Sequence, residues 1–480
     1  MEFLVKILSY LSLLFCCVRA AISHPNTLEL ALTTSLGNQD GSEYYVNFTI
    51  GTPGQLQTVL LDTGSSNTAI VSSNASFCRA LDCAGNTFDS SKSSTFKTTK
   101  PEALKQYYVD GTGLEGDYFT DVVQMNDLQI TNFSMGLGNR FHTNFRPYTG
   151  ILGLGYSSHM VYVKKANQPK VTLPPSFMEA LVQAGAISSR LYSVYLNTLD
   201  WYGSILFGEL DTEKYEGPLT TLNFFPGGEG AVNNFYLRLE STNYHGARYR
   251  NSWVAAANYG MDDNAFVRPC ADVVRGLDNT TRFEITFAGH GTNTATLNLE
   301  LADLFTPLTS KDGSAMTDPF GRPMCWLRVT EVPASSFLVT SNSVMRAGYW
   351  IFDLDNGQVS VAQAKLRANS SNVVRVGAGA DGLRKAVHDL RSDTQKADIE
   401  GPKSTSMAYS VSTASSTVGY ATGTEAYPTA TGTTRYFGHD PRKPGSSALM
   451  RRAESAATAI RNACWSVASC FVVILMLVVL

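Results

Sequence analysis

Charge is scarce in this chain. Of its 480 residues, 38 are Lys or Arg and 41 are Asp or Glu, so the formal net charge is −3 and the charged fraction only 16%. Such a balance leaves no basic surface for nucleic acid and none for an anionic membrane face. Histidine is scarce as well: the seven present are scattered, with no Cys/His metal spacing, so neither a metal nor a cofactor is expected. Gly-X-Ser-X-Gly and His-Glu-X-X-His are both missing, which removes the usual carriers of serine and zinc hydrolysis. Long stretches of helical periodicity are few, whereas Gly, Thr, Ser and Asn interrupt short apolar runs throughout. That pattern argues for an all-β body. The length exceeds what one compact core usually holds, so two lobes are expected.

Apolar runs are confined to strand-sized pieces except at the two ends. At the N-terminus Lys6 precedes an apolar run from Ile7 to Val18, and Val18-Arg19-Ala20 forms a small-residue cleavage site. Residues 1–20 therefore read as a secretory signal, and residues 21–42 as a short polar connection. Of eight cysteines, Cys16 and Cys17 leave with the signal, and Cys464 and Cys470 lie near the C-terminal apolar run. The remaining four, Cys78, Cys83, Cys270 and Cys325, are expected as disulfides in an exported chain. Sequons at Asn47, Asn74, Asn132, Asn279 and Asn369 are candidate glycan sites. From 368 to 460 the composition turns to charge and then to Ser, Thr, Ala and Gly, the mark of a disordered stalk. The tail, 461–480, is short for a spanning helix and follows small residues around Ser455, with Gly445 a second candidate attachment position. This arrangement suggests a GPI signal, with a C-terminal membrane helix as the alternative. The expected location is the cell surface, at the outer leaflet or wall, and the expected state is a monomer.

One stretch organises the chemistry. In Val59-Leu60-Leu61-Asp62-Thr63-Gly64-Ser65-Ser66-Asn67 an apolar strand pattern stops at a carboxylate and turns. Backbone N–H and hydroxyl groups converging there would keep Asp62 ionised at low pH, able to act as a base on water. Three further stretches accompany it: Phe48 to Pro53, Tyr108-Val109-Asp110-Gly111-Thr112, which reads as a hairpin tip, and Gly150-Ile151-Leu152-Gly153-Leu154-Gly155. Ser176 and Glu179 form a capping-box signature ahead of one clear helix that Gly185 should end.

Together these motifs resemble the pepsin-like aspartic endopeptidases, in particular the fungal GPI-anchored cell-surface members, over residues 43–367. The resemblance implies an all-β, bilobal double β-barrel with a few short helices, lobes at 43–225 and 226–367, and an extended peptide or protein as substrate. It assigns catalysis to Asp62, support to Thr63, Gly64 and Ser65, and a substrate flap to Tyr108, Gly111 and Thr112. It also implies the pairs Cys78–Cys83 and Cys270–Cys325. Three departures stand out. A Trp common in relatives two positions after the Ser-Ser-Asn run is Ala69 here, and no second Asp-Thr/Ser-Gly exists. The best positional match is Val254-Ala255-Ala256-Ala257-Asn258-Tyr259-Gly260, with an amide where the acid belongs. The support motif before the last strands is likewise altered, to Phe337-Leu338-Val339-Thr340-Ser341. Two functions follow: an acid endopeptidase if a second acid is supplied, or a pseudoprotease that binds peptides or wall proteins without cutting.

Overall fold

The computed structural model describes residues 27–34, 43–75, 78, 83, 86–107, 113–142, 149–160, 173–198, 201–226, 230–244, 247–250, 267–271, 282–300, 304–308, 314–327, 337–339, 342–388 and 474–476. After β1 (Glu29–Leu32), seven strands build one sheet: β2 (Tyr45–Ile50), β3 (Gln55–Asp62), β4 (Thr68–Val71), β5 (Lys97–Tyr107), β6 (Gly113–Met125), β7 (Leu128–His142) and β8 (Gly150–Gly153). Their order is β2-β3-β8-β4-β7-β6-β5, and an added β2–β6 pairing closes six of them into a ring with β5 outside. Closure leaves the ring no free edge. Alternating residues fill it: Val46, Phe48 and Ile50 from β2, Val59 and Leu61 from β3, Phe119 and Val123 from β6.

Next come helix α1 (Phe177–Gln183), β9 (Leu191–Tyr195), β10 (Gly203–Phe207), β11 (Glu209–Asp211) and β12 (Tyr215–Asn223). Helix α1 carries the expected capping box: Ser176 Oγ accepts from the Glu179 N–H at 3.4 Å, and Glu179 Oε2 accepts from the Ser176 N–H at 2.9 Å. Gly185, at φ +71°, ends the helix, and its N–H and that of Ala186 satisfy the Val182 and Leu181 carbonyls.

The second half contributes β13 (Tyr236–Tyr244), β14 (Ala247–Arg250), β15 (Val267–Pro269), β16 (Arg282–Ala288), β17 (Thr294–Glu300), β18 (Phe305–Pro307), β19 (Met324–Leu327) and β20 (Phe337–Val339). Helix α2 (Asn342–Ala347), β21 (Gly348–Asp353), β22 (Gln358–Ala364), β23 (Val373–Arg375), helix α3 (Gly382–His388) and β24 (Ile474–Met476) follow. One sheet, ordered β17-β16-β13-β24-β20, forms the body of this lobe. A three-stranded sheet, β15-β19-β18, is tied by Cys270–Cys325, with Cα atoms 4.9 Å apart. The other expected bridge, Cys78–Cys83, is also present, at 5.1 Å.

A six-stranded sheet ordered β1-β10-β9-β21-β22-β12 joins the halves, drawing β9 and β10 from before the boundary and β21 and β22 from after it. Its inner strands β9, β10 and β21 are wholly buried, with Trp350, Phe207, Tyr192 and Phe352 at its heart, while the edge strand β12 is largely open to solvent. The result is the all-β bilobal architecture that the resemblance implied.

Two expectations need correction. Residues 21–42 are not merely a polar connection, because Leu28, Leu30 and Leu32 alternate inward and make β1 an edge strand of the joining sheet. Nor does disorder begin at 368. There β23 pairs with β11, and Leu383, Ala386 and Val387 of α3 pack on Leu210 and Val376, so the ordered body runs to His388. In the C-terminal tail, Ile474–Met476 form a strand inside the second-lobe sheet. Ser455 and Gly445 lie outside the described residues, and among those described no helix is long and apolar enough to cross a membrane.

Candidate active site

Strand β3 delivers Asp62 to its C-terminal end, paired in parallel with β8 so that Asp62 faces Gly153. The loop beyond folds back on β8 through a ladder of backbone bonds. The Leu154 N–H donates to the Asp62 carbonyl at 2.8 Å, the Gly153 N–H to the Asn67 carbonyl at 3.1 Å, and the Gly155 N–H to the Ser65 carbonyl at 2.8 Å. Such close approach requires glycine. A Cβ at Gly153 would stand 2.7 Å from the Asn67 backbone N and O and 2.8 Å from the Ser65 carbonyl oxygen. Ser66 Oγ fixes the loop from the other side by donating to the Tyr156 carbonyl at 2.5 Å.

The side chain of Asp62 is almost wholly buried, at 1% exposure. Its Oδ1 accepts from the Gly64 N–H at 2.7 Å. Burial nevertheless dominates, and the carboxyl is pushed up to about 6, against the lowering effect of Ser65 and the Gly64 and Ser65 amides. This overturns the expectation that local hydrogen bonds keep Asp62 ionised at low pH. The Ser65 hydroxyl lies near enough to the Asp62 carboxylate to favour its charged form. Thr63 is buried, as a supporting residue should be.

No other carboxyl group among the described residues contributes to the shift at Asp62. Asn258, the positional candidate for the second acid, lies outside the described residues. So do the flap residues Tyr108, Gly111 and Thr112. The base of that hairpin is present: Tyr107 opposes Gly113, the Tyr107 hydroxyl donates to Glu115, and Arg140 Nε pairs with Glu115 at 3.2 Å. Under it, fully buried Ala69 sits with Leu104, Leu114, Tyr118 and Ile151.

Residue-by-residue reading missed three tyrosines. Tyr118 accepts from Asn67 Nδ2 at 2.6 Å, holding the end of the catalytic loop to β6. Its inward place in the alternation of β6 was the available signal. Tyr156 and Tyr192 are buried with no hydrogen-bond partner for either hydroxyl among the described residues. Burial, then Tyr156, then the Asp62 charge raise Tyr192 far above the ordinary phenol range. Nothing in local sequence marks these two, because only the joining sheet brings Tyr192 toward the loop. Of the glycan candidates, Asn47, Asn74, Asn132 and Asn369 are exposed, and Asn279 lies outside the described residues.

The geometry can be set beside known proteins. Residues 43–364 match the family model described as eukaryotic aspartyl protease. The chain belongs to that family. It is 29% identical over 384 residues to a probable aspartic-type endopeptidase OPSB of Arthroderma benhamiae, covering 74% of this chain and 75% of the relative. It is also 29% identical to the aspartic proteinase yapsin-3 of Saccharomyces cerevisiae, over 69% of this chain and 68% of the relative. Barrierpepsin of the same yeast is 25% identical, over 72% and 64%. In this aspartyl protease fold Asp62 closes β3, on a loop whose backbone frame is complete.

Proposed function

We propose that this protein is an exported aspartyl-protease homologue that holds extended peptides in its cleft and hydrolyses them poorly or not at all. The observation that carries this reading is that no other carboxyl group among the described residues acts on Asp62. Amide hydrolysis of this type uses two carboxyl groups sharing one proton: the ionised one takes a proton from water while the protonated one polarises the scissile carbonyl. Here one carboxyl is buried with its proton affinity raised by desolvation, and the second Asp-Thr/Ser-Gly is missing from the sequence. The amide of Asn258 carries no exchangeable acid proton that could fill the role. Loss of one member of such a unit costs several powers of ten in rate, each about 1.4 kcal/mol of barrier. Peptide binding draws on backbone bonds and side-chain pockets and does not need the second acid. The signal pattern at 1–20, the disulfides and the exposed sequons support an extracellular setting.

The competing reading, an acid endopeptidase, draws on the names of the relatives. A broad peptide library at pH 3 to 6, with Asp62→Asn as control, separates the two. Binding without turnover is expected. Cleavage that rises toward low pH and disappears in Asp62→Asn would establish the endopeptidase instead.

A further inference from the structure

The two lobes can be compared strand by strand. In the first, β3 runs antiparallel to β2 and parallel to β8, and so is the middle of three. In the second, the middle of the corresponding trio is β24: antiparallel to β13 through Tyr236↔Met476, Leu237↔Leu475 and Arg238↔Ile474, and parallel to β20 through Phe337↔Ile474, Leu338↔Leu475 and Val339↔Met476. This is the position of the strand that carries Asp62 in the first lobe. Among the described residues the sequence between β13 and β20 supplies β14 to β19, none of which lies between those two strands.

We infer that the second lobe contains a strand-acceptor site, the slot between β13 and β20, and that its occupant is the chain's own C-terminal segment Ile474–Met476. Three features define what the slot takes. It offers an antiparallel ladder on one side and a parallel one on the other, so the guest must be extended and must donate and accept on both edges. Its β13 wall presents Leu237 and Leu239 buried and Tyr236, Arg238 and Glu240 partly exposed, so one side of the sheet is apolar. In this register Ile474-Leu475-Met476 offers only apolar side chains to that side. Pairing of this kind is strand addition, in which main-chain hydrogen bonds give the affinity.

The sequence of the guest also brings no acid: Ile474-Leu475-Met476 is wholly apolar, Met476 is followed by Leu477, and Val339 by Thr340. Sheet completion and membrane anchoring make exclusive claims on the same residues: a GPI signal is cut away, and a spanning helix cannot be a strand.

Three measurements on the full-length secreted chain test the site. Mass analysis of the mature protein should find Ile474–Met476 retained; a mature chain ending upstream of Ile474 overturns the proposal. In a background with Cys464→Ser and Cys470→Ser, the pair Leu237→Cys and Leu475→Cys should oxidise to a 237–475 bridge found by peptide mapping; no bridge under oxidising conditions overturns it. Leu475→Pro removes one ladder N–H, and exchange of the β13 amides Leu237 and Arg238 should then speed up roughly a hundredfold while β2 and β3 amides hold. Unchanged β13 exchange contradicts the assignment. Should that variant fail to fold, the cysteine pair decides alone.

Discussion

The two lobes use one sheet plan and part company at the middle strand. In the first, local sequence supplies everything: β3 pairs with β2 and β8, and the loop after Asp62 lies on glycines that leave no room for a Cβ. In the second, β13 and β20 flank a strand drawn from the far end of the chain. A sheet asks only for an extended apolar segment with free backbone groups, and many sequences meet that demand. A catalytic loop asks for a particular carboxyl, a glycine under it and donors around it. Fold and chemistry therefore decay at different rates, and a lobe can keep the former after losing the latter.

The sharpest way to break the comparison is to give the first lobe what the second already has. Gly153→Val would drive side-chain atoms into the Asn67 and Ser65 backbone, and a loss of about 4 kcal/mol or more is expected in thermal or denaturant unfolding. Thr340→Gly, one residue after β20 in the sequence, should move stability by less than about 1 kcal/mol. Equal effects would mean that both lobes pack their loops alike.

Next in size is Asp62→Asn. The folded carboxyl sits at about 6 against an ordinary value of 3.8, so the native state binds the proton more tightly than the unfolded one. Its contribution is thus fully favourable below the unfolded value and declines as pH rises through 6. Removing the charge should stabilise the protein by roughly 3 kcal/mol at pH 7 and hardly at all near pH 3. Unfolding curves at the two pH values check this; a variant destabilised at pH 7 would mean that the charge is well solvated.

Smallest is a change remote from the difference between lobes. Ser176→Ala removes the side-chain acceptor at the start of α1 and should cost about 1 kcal/mol, with no effect on peptide binding. A change in binding would show that α1 communicates with the cleft.

Much of the first lobe was legible because its signals are local. The strand ending at Asp62, the turn at Gly64 and the capping box of Ser176 and Glu179 each lie within a few residues, and the cysteine pairs followed from the family layout. What escaped depends on distance. The alternation of Leu28, Leu30 and Leu32 is a strand signal, but its partner β10 is more than 150 residues away, so it read as connection. The short apolar groups at Val373, Val374, Leu383 and Val387 were outweighed by the shift in composition around them. Ile474-Leu475-Met476 fits a buried strand as well as a membrane segment, and only pairing distinguishes these. The direction of the Asp62 shift was misread for a related reason: its hydrogen bonds are local and visible, while burial comes from the whole lobe.

The central claim is that Asp62 titrates as a lone acid. Site-resolved carbon NMR of the Asp62 carboxyl, followed from pH 2 to 9, tests it most directly. A single transition near 6 is predicted. Two coupled steps, one well below the ordinary carboxylate value and one above it, would reveal a second acid sharing the proton and an intact catalytic pair.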